Sequence, residues 1–204
     1  MDDLFSVLTG RVEQAFNEHT SAGAILHRAV YEPLDGLLMS TGKEIRCSKG
    51  CDACCHRMVI CTRVEALAVM EYLQGINKWD DQLREAVHLH ASTLQDYLEP
   101  GENKPDTWIE SWVACPFLKE GECLVYPMRP VSCRSYHSLD EPDLCKVPIR
   151  NVAQVKEINQ AEELFSMMAT MVGERIDTVF SAKGLFTLIL DELSADVTAT
   201  GEVV

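Results

Sequence analysis

Four of the nine cysteines fall within nine consecutive residues, Cys47-Ser48-Lys49-Gly50-Cys51-Asp52-Ala53-Cys54-Cys55. So short a segment has too few apolar side chains to hold a fixed shape by burial. It must be pinned through its thiols, either by disulfides or by a shared metal. The redox compartment separates the two. The chain opens Met1-Asp2-Asp3-Leu4-Phe5, without the basic segment, apolar run and small-residue cleavage site of a secretory leader, and the expectation is a cytoplasmic protein. No uncharged apolar run approaches the ~18 residues that span a bilayer, so no membrane association is expected. In a reducing cytosol a cysteine cluster is more often a metal site or redox centre than a disulfide framework.

At 204 residues, 47% hydrophobic and 25% charged, the chain is large enough to bury a real core, and one domain over 1–204 accounts for it. A net charge of -14 argues against nucleic-acid partners, because phosphates repel it and counterion release needs lysine and arginine. The partner left to expect is a protein or a small molecule. Arg46, Lys49, Arg57, Arg63, Arg129 and Arg134 do gather near the cysteines, where they read as offsets to thiolate charge.

Periodicity is helical at both ends. Leu4, Phe5, Leu8, Val12 and Phe16 keep three-to-four spacing, and Ile25, Ala29, Val30 and Leu34 resume it, giving a helical arm over about 1–42. Thr62-Arg63-Val64-Glu65 has the form of a capping box and predicts a helix from about Arg63 to Gln74, ending near Gly75. A further helix is predicted from Trp79 to Tyr97, stopped by Pro100-Gly101 and followed by a polar loop through Pro105. C-terminal helices are predicted over about 148–196, after Pro148, with Val152, Val155, Ile158, Leu164, Phe165, Met168, Val172 and Ile176 as the buried stripe. The tail Thr198 to Glu202 reads as frayed. Short strands are expected around Arg57 to Ile60 and Leu124 to Tyr126.

The chemistry lies in a cysteine core of about 43–147, built from two blocks. The first is Cys47-x3-Cys51-x2-Cys54-Cys55. The second holds Cys115-Pro116-Phe117-Leu118, Cys123 with Tyr126, and Arg129-Pro130-Val131-Ser132-Cys133-Arg134. A helix between the blocks can fold back and bring seven thiols together, whereas one tetrahedral zinc uses only four. Soft thiol ligands suit zinc or iron–sulfur ligation far better than hard cations. Adjacent side chains on an extended segment diverge, which predicts that one of Cys54 and Cys55 points away from a metal held by the other.

These blocks resemble the YkgJ-type CxxxCxxCC cysteine-cluster family, described as chelating zinc or iron. The resemblance is carried by Cys47, Cys51, Cys54, Cys55, Cys115, Pro116, Phe117, Leu118, Cys123, Tyr126, Arg129, Pro130, Cys133 and Arg134. It implies a bound zinc or iron centre and little about activity. More distantly the chain is similar to flagellin lysine N-methylases, which would imply iron–sulfur ligation and use of S-adenosylmethionine.

Cys47-x3-Cys51-x2-Cys54 also has the spacing of the cluster loop of radical S-adenosylmethionine enzymes, but the alternating strands and helices of their barrel are missing. No Gly-x-Gly pair supports a conventional methyltransferase. Cys61 and Cys145 read as buried or spare thiols. His56 and His137 read as partly exposed histidines beside polar loops, because cysteine ligands are already plentiful. The Met167, Met168 and Met171 group reads as core filling. Arg129 and Arg134 are the candidates for binding an anionic cofactor.

The expectation is a mainly α, compact helical domain in which two cysteine-rich loops converge on a metal site, with few or no strands. Cys47, Cys51, Cys54, Cys55, Cys115, Cys123 and Cys133 would chelate an iron–sulfur cluster, 4Fe-4S among the options, or zinc. Whether the protein is an enzyme stays open. The alternatives are an iron–sulfur-dependent modifying enzyme resembling protein lysine N-methylases, and a zinc-stabilised structural or interaction module.

Overall fold

The computed structural model describes residues 2–47, 50–98, 113–146, 153–176 and 182–191. The expected stop at Pro100-Gly101, the loop through Pro105, Pro148, Val152 and the tail Thr198 to Glu202 lie outside the described residues.

Helix α1 (Asp2–Glu18) buries Leu8, Val12 and Ala15, the apolar side of an amphipathic helix. Ser21 then caps α2 (Ala22–Leu26), its hydroxyl accepting the Ala24 N–H at 3.2 Å. The chain runs on through a π turn (His27–Tyr31) into α3 (Glu32–Ser40). Pro33 explains the widened turn: it has no N–H to give the Ala29 carbonyl, and the loosened winding before it avoids that missing bond.

Strand β1 (Ile60–Thr62) leads directly into α4 (Arg63–Gly75). The predicted capping box forms, with the Thr62 backbone N–H and hydroxyl both reaching Glu65 Oε2, at 2.8 and 2.9 Å. Helix α5 (Asp81–Leu98) starts two residues later than expected, because Asp80 Oδ1 accepts the Leu83 N–H at 2.8 Å and so caps it. Strands β2 (Leu118–Lys119) and β3 (Glu122–Cys123) form a hairpin around Glu120-Gly121. Both turn residues have positive φ, 52° and 79°, the geometry whose twist matches paired strands and for which Gly121 suits the second position.

A 3-10 turn (Tyr126–Met128) comes next, beginning at the last residue of the strand expected over Leu124 to Tyr126, and then α6 (Val131–Ser135) and α7 (Lys156–Arg175). Helix α7 buries Ile158, Phe165, Met168 and Val172 of the expected stripe, with Leu164 and Ile176 half-covered. Strand β4 (Ala182–Gly184) pairs antiparallel with β1, Ile60 opposite Gly184, and a helical segment, α8, covers 185–191. Among the described residues no helix is long and apolar enough to cross a membrane.

Two hydrophobic clusters meet at α4. Val64 and Ala68 join α1, α2, α3 and α7. Ala66, Val69, Met70 and Leu73 join Leu83 and Val87 of α5, Phe117, and Leu185, Phe186 and Ile189 of α8. Cys115, Cys123 and Cys133 pack against the second cluster, so the cysteine blocks sit over that core. The fold is mainly α, as expected, with two two-stranded ladders among the described residues.

Candidate metal centre

Local backbone geometry carries each thiol to its place. Gly50, at φ 89°, turns the first block. Ala53–His56 then closes a 3-10 turn, with the Cys55 N–H on the Asp52 carbonyl and the Arg57 N–H on the Cys54 carbonyl. The two blocks are joined main chain to main chain, because the Cys115 N–H donates to the Cys55 carbonyl at 2.7 Å. The hairpin carries Cys123, and α6 carries Cys133.

Six thiols, those of Cys51, Cys54, Cys55, Cys115, Cys123 and Cys133, line one cavity of about 420 Å³. Phe117, Val125 and Leu185 give it an apolar side. Cys47 is exposed and lies outside the lining, although its thiol senses Cys51, Cys54 and Cys145. Six of the seven predicted ligands are thus brought together. Cys61 is buried in β1 and Cys145 half-buried beyond the second block, neither of them in the lining.

Cys54 and Cys55 do not diverge. The 3-10 turn replaces the extended segment that the sequence suggests, and both residues line the cavity. Interaction with the neighbouring Cys55 thiol, with the charges of Arg129 and Arg57, brings the Cys54 thiol down to about 7, while Cys55, as the partner that keeps its proton, is pushed up. Burial raises Cys115 to about 12 and holds Cys133 well above the usual thiol range. Cys54 therefore ionises more readily than Cys55, Cys115, Cys123 and Cys133, whose raised thiols hold their protons until a cation compensates them.

Arg129 lines the cavity, as does Arg57, which sequence reasoning places only among the general counter-charges. Arg134 does not. Its side chain is 3% exposed and pairs with Asp35 at 2.6 Å. It also donates to the Arg129 and Pro127 carbonyls, and stacks 4.2 Å from the centre of the Tyr31 ring. It ties α3 to α6 and has no hand on the cavity. The partner that could have revealed this, Asp35, is 99 positions away in sequence.

Both histidines are buried, at 8% and 1% exposure, rather than partly exposed. His137 Nδ1 faces the Ser135 carbonyl at 2.6 Å, and Nε2 accepts the Val155 N–H at 2.7 Å. That arrangement fixes the neutral Nδ1–H tautomer and occupies both nitrogens with backbone. His56 Nδ1 lies 3.2 Å from the Asp52 carbonyl. Met168 is fully buried in the first core while Met167 is exposed, so the methionine group makes no common site.

The donor set fits a thiophilic centre: six sulfurs, two guanidiniums to balance thiolate charge, and an apolar side that limits water. Among the described residues no three Cys, His, Asp or Glu side chains are drawn as close as a single ion requires. The six cysteines are instead spread along the lining of one cavity. No curated protein and no solved structure shows a significant match to the chain. The family model CxxCxxCC, described as "Putative zinc- or iron-chelating domain", matches residues 46–163, more than half of the chain and all six thiols of the cavity. The chain belongs to this CxxCxxCC cysteine-cluster family.

Proposed function

We propose that this protein binds an iron–sulfur cluster in the thiol cavity, in a reducing cytoplasm that keeps the cysteines free. Cys51, Cys54, Cys55, Cys115, Cys123 and Cys133 are the candidate ligands, with Cys47 at the margin. One observation carries the reading: six cysteines from two sequence blocks line one cavity of about 420 Å³. A zinc tetrahedron closes on four sulfurs at about 2.3 Å and uses neither that many thiols nor that much space. Thiolate-held clusters use the same soft donors over a larger volume. Such a centre would supply electron transfer or an electrophilic iron. The residues of this chain hold it, exclude water on the apolar side and balance its charge.

The test is purification without oxygen, followed by quantification of iron, zinc and acid-labile sulfide together with an optical spectrum. Iron and sulfide in comparable amounts, with broad absorbance at about 400 nm, are expected. Colourless protein with stoichiometric zinc would replace this reading with the zinc one, in which the metal braces the two blocks.

A further inference from the structure

The chain has 32 acidic residues against 18 lysines and arginines, so its arginines have many carboxylates to choose from. Arg28 and Arg46 each hold two, and Arg84 and Arg134 one each. Arg57 and Arg129 hold none: among the described residues no carboxylate lies within ion-pair reach of either. Glu122, the acidic residue of the cavity lining, has interactions of its own.

Each of these arginines is instead stacked on a tyrosine. Arg57 lies 4.3 Å from the centre of the Tyr136 ring and donates to Tyr136 Oη at 3.0 Å. Arg129 lies 3.7 Å from the Tyr126 ring centre and gives its Nε–H to the Tyr126 carbonyl at 3.2 Å. Stacking fixes a guanidinium plane without consuming its terminal nitrogens. Arg129 Nη1 and Nη2 and Arg57 Nη2 are left with no partner among the described residues. All four side chains line the same cavity as the thiols. Its volume falls in the range of small-molecule pockets, about 300–1,000 Å³.

We propose that the cavity binds a small organic oxyanion, held by the free edges of Arg57 and Arg129 beside the thiol wall, with Phe117, Val125 and Leu185 receiving its carbon skeleton. A planar fork matches the two oxygens of a carboxylate or the oxygens of a phosphate ester. This rests on the metal reading only in sharing its cavity.

Calorimetric titration of the anaerobically purified full-length protein, whatever its metal content, tests it with two probes. Malonate and inorganic phosphate are compared with chloride at matched ionic strength, and the tighter probe names the anion class. Saturable binding of one probe is expected. Arg57→Gln and Arg129→Gln should each weaken it roughly tenfold or more, with the metal content of each variant measured beside its anion binding. Should either Gln variant fail to fold by circular dichroism, the Lys variant keeps the charge and loses the fork, and should still bind more weakly than wild type. Binding no better than chloride, or equal binding by wild type and variants, overturns the proposal. So do variants that lose only metal, which would make the arginines counter-charges to the centre. Anion binding by metal-free protein would leave this inference standing and remove the metal reading, and metal-loaded protein that binds neither probe would do the reverse.

Discussion

Glu65 Oε1 accepts the backbone N–H of Val131 at 2.7 Å, while Oε2 accepts the N–H and hydroxyl of Thr62. One buried carboxylate thus fastens the start of α4 to the start of α6, two residues before Cys133. Burial pushes the Glu65 carboxyl above the usual range, and the bonds from Thr62 and Val131 draw it partly back.

Removing that carboxylate orphans donors at both helix starts. Glu65→Ala is expected to cost about 3 kcal/mol, measured by urea denaturation of metal-free protein. It should also loosen α6 enough to weaken metal retention against a chelator. Unchanged stability would mean that the N–H groups find other acceptors.

The cavity ranks the cysteines. Cys54→Ser, Cys115→Ser and Cys133→Ser should lose metal, since each removes a sulfur from the cavity lining. Cys145→Ser should keep it. Cys61→Ser should also keep it while lowering stability by about 1–2 kcal/mol, because a hydroxyl replaces a thiol packed in the core. Metal analysis of the five variants beside wild type decides this, and equal loading in all five would rule out the cavity as the site.

Tyr31 is fully buried, and its hydroxyl has no hydrogen-bond partner among the described residues. An unmade bond of that kind costs about 1–3 kcal/mol. Tyr31→Phe is therefore expected to stabilise metal-free protein by about 1 kcal/mol or more, with the ring still under Arg134. A drop in the denaturation midpoint would show that the hydroxyl is satisfied in solution.

His90, buried edge-to-face against Phe186 at 4.4 Å, is held neutral by desolvation, its pKa brought down to about 4 from the usual 6.5. Above pH 6.5 the folded and unfolded forms are both neutral and the contribution is complete. As pH falls toward 4 the unfolded chain takes the proton first, and stability drops by about 1.4 kcal/mol per pH unit, about 3 kcal/mol over the window. Glu65 acts with the opposite sign, since a raised carboxyl pKa favours the folded form as pH falls. The difference between wild type and His90→Gln, tracked by urea melts at several pH values, isolates the histidine, and parallel curves would refute its role.

Much of the helical frame is legible in the sequence because it rests on local rules. The Thr62 to Glu65 box, the stripe of α7 and the amphipathic start each need only nearby residues. The strands lie a few positions from where the sequence suggests them, because two- and three-residue ladders are too short to show alternation. At the site the thiol types and spacing are readable, but their orientation is not. A 3-10 turn, not an extended segment, carries Cys54 and Cys55. Arg57 and Arg134 exchange roles because their partners, Tyr136 and Asp35, lie 79 and 99 positions away. The π turn that seats Tyr31 leaves only the indirect sign of Pro33.

From Cys61 to Met70 no residue is exposed, because α4 is packed on opposite sides by the two cores. Each residue added to a helix rotates the remainder of that helix by about 100°. One insertion there would turn both contact faces away from their partners at once and carry Glu65 off Val131. The helix should therefore tolerate exchange of side chains of similar size far better than any change of length. Lengthening belongs to the α5 side, where Leu89 already faces solvent at 66% exposure.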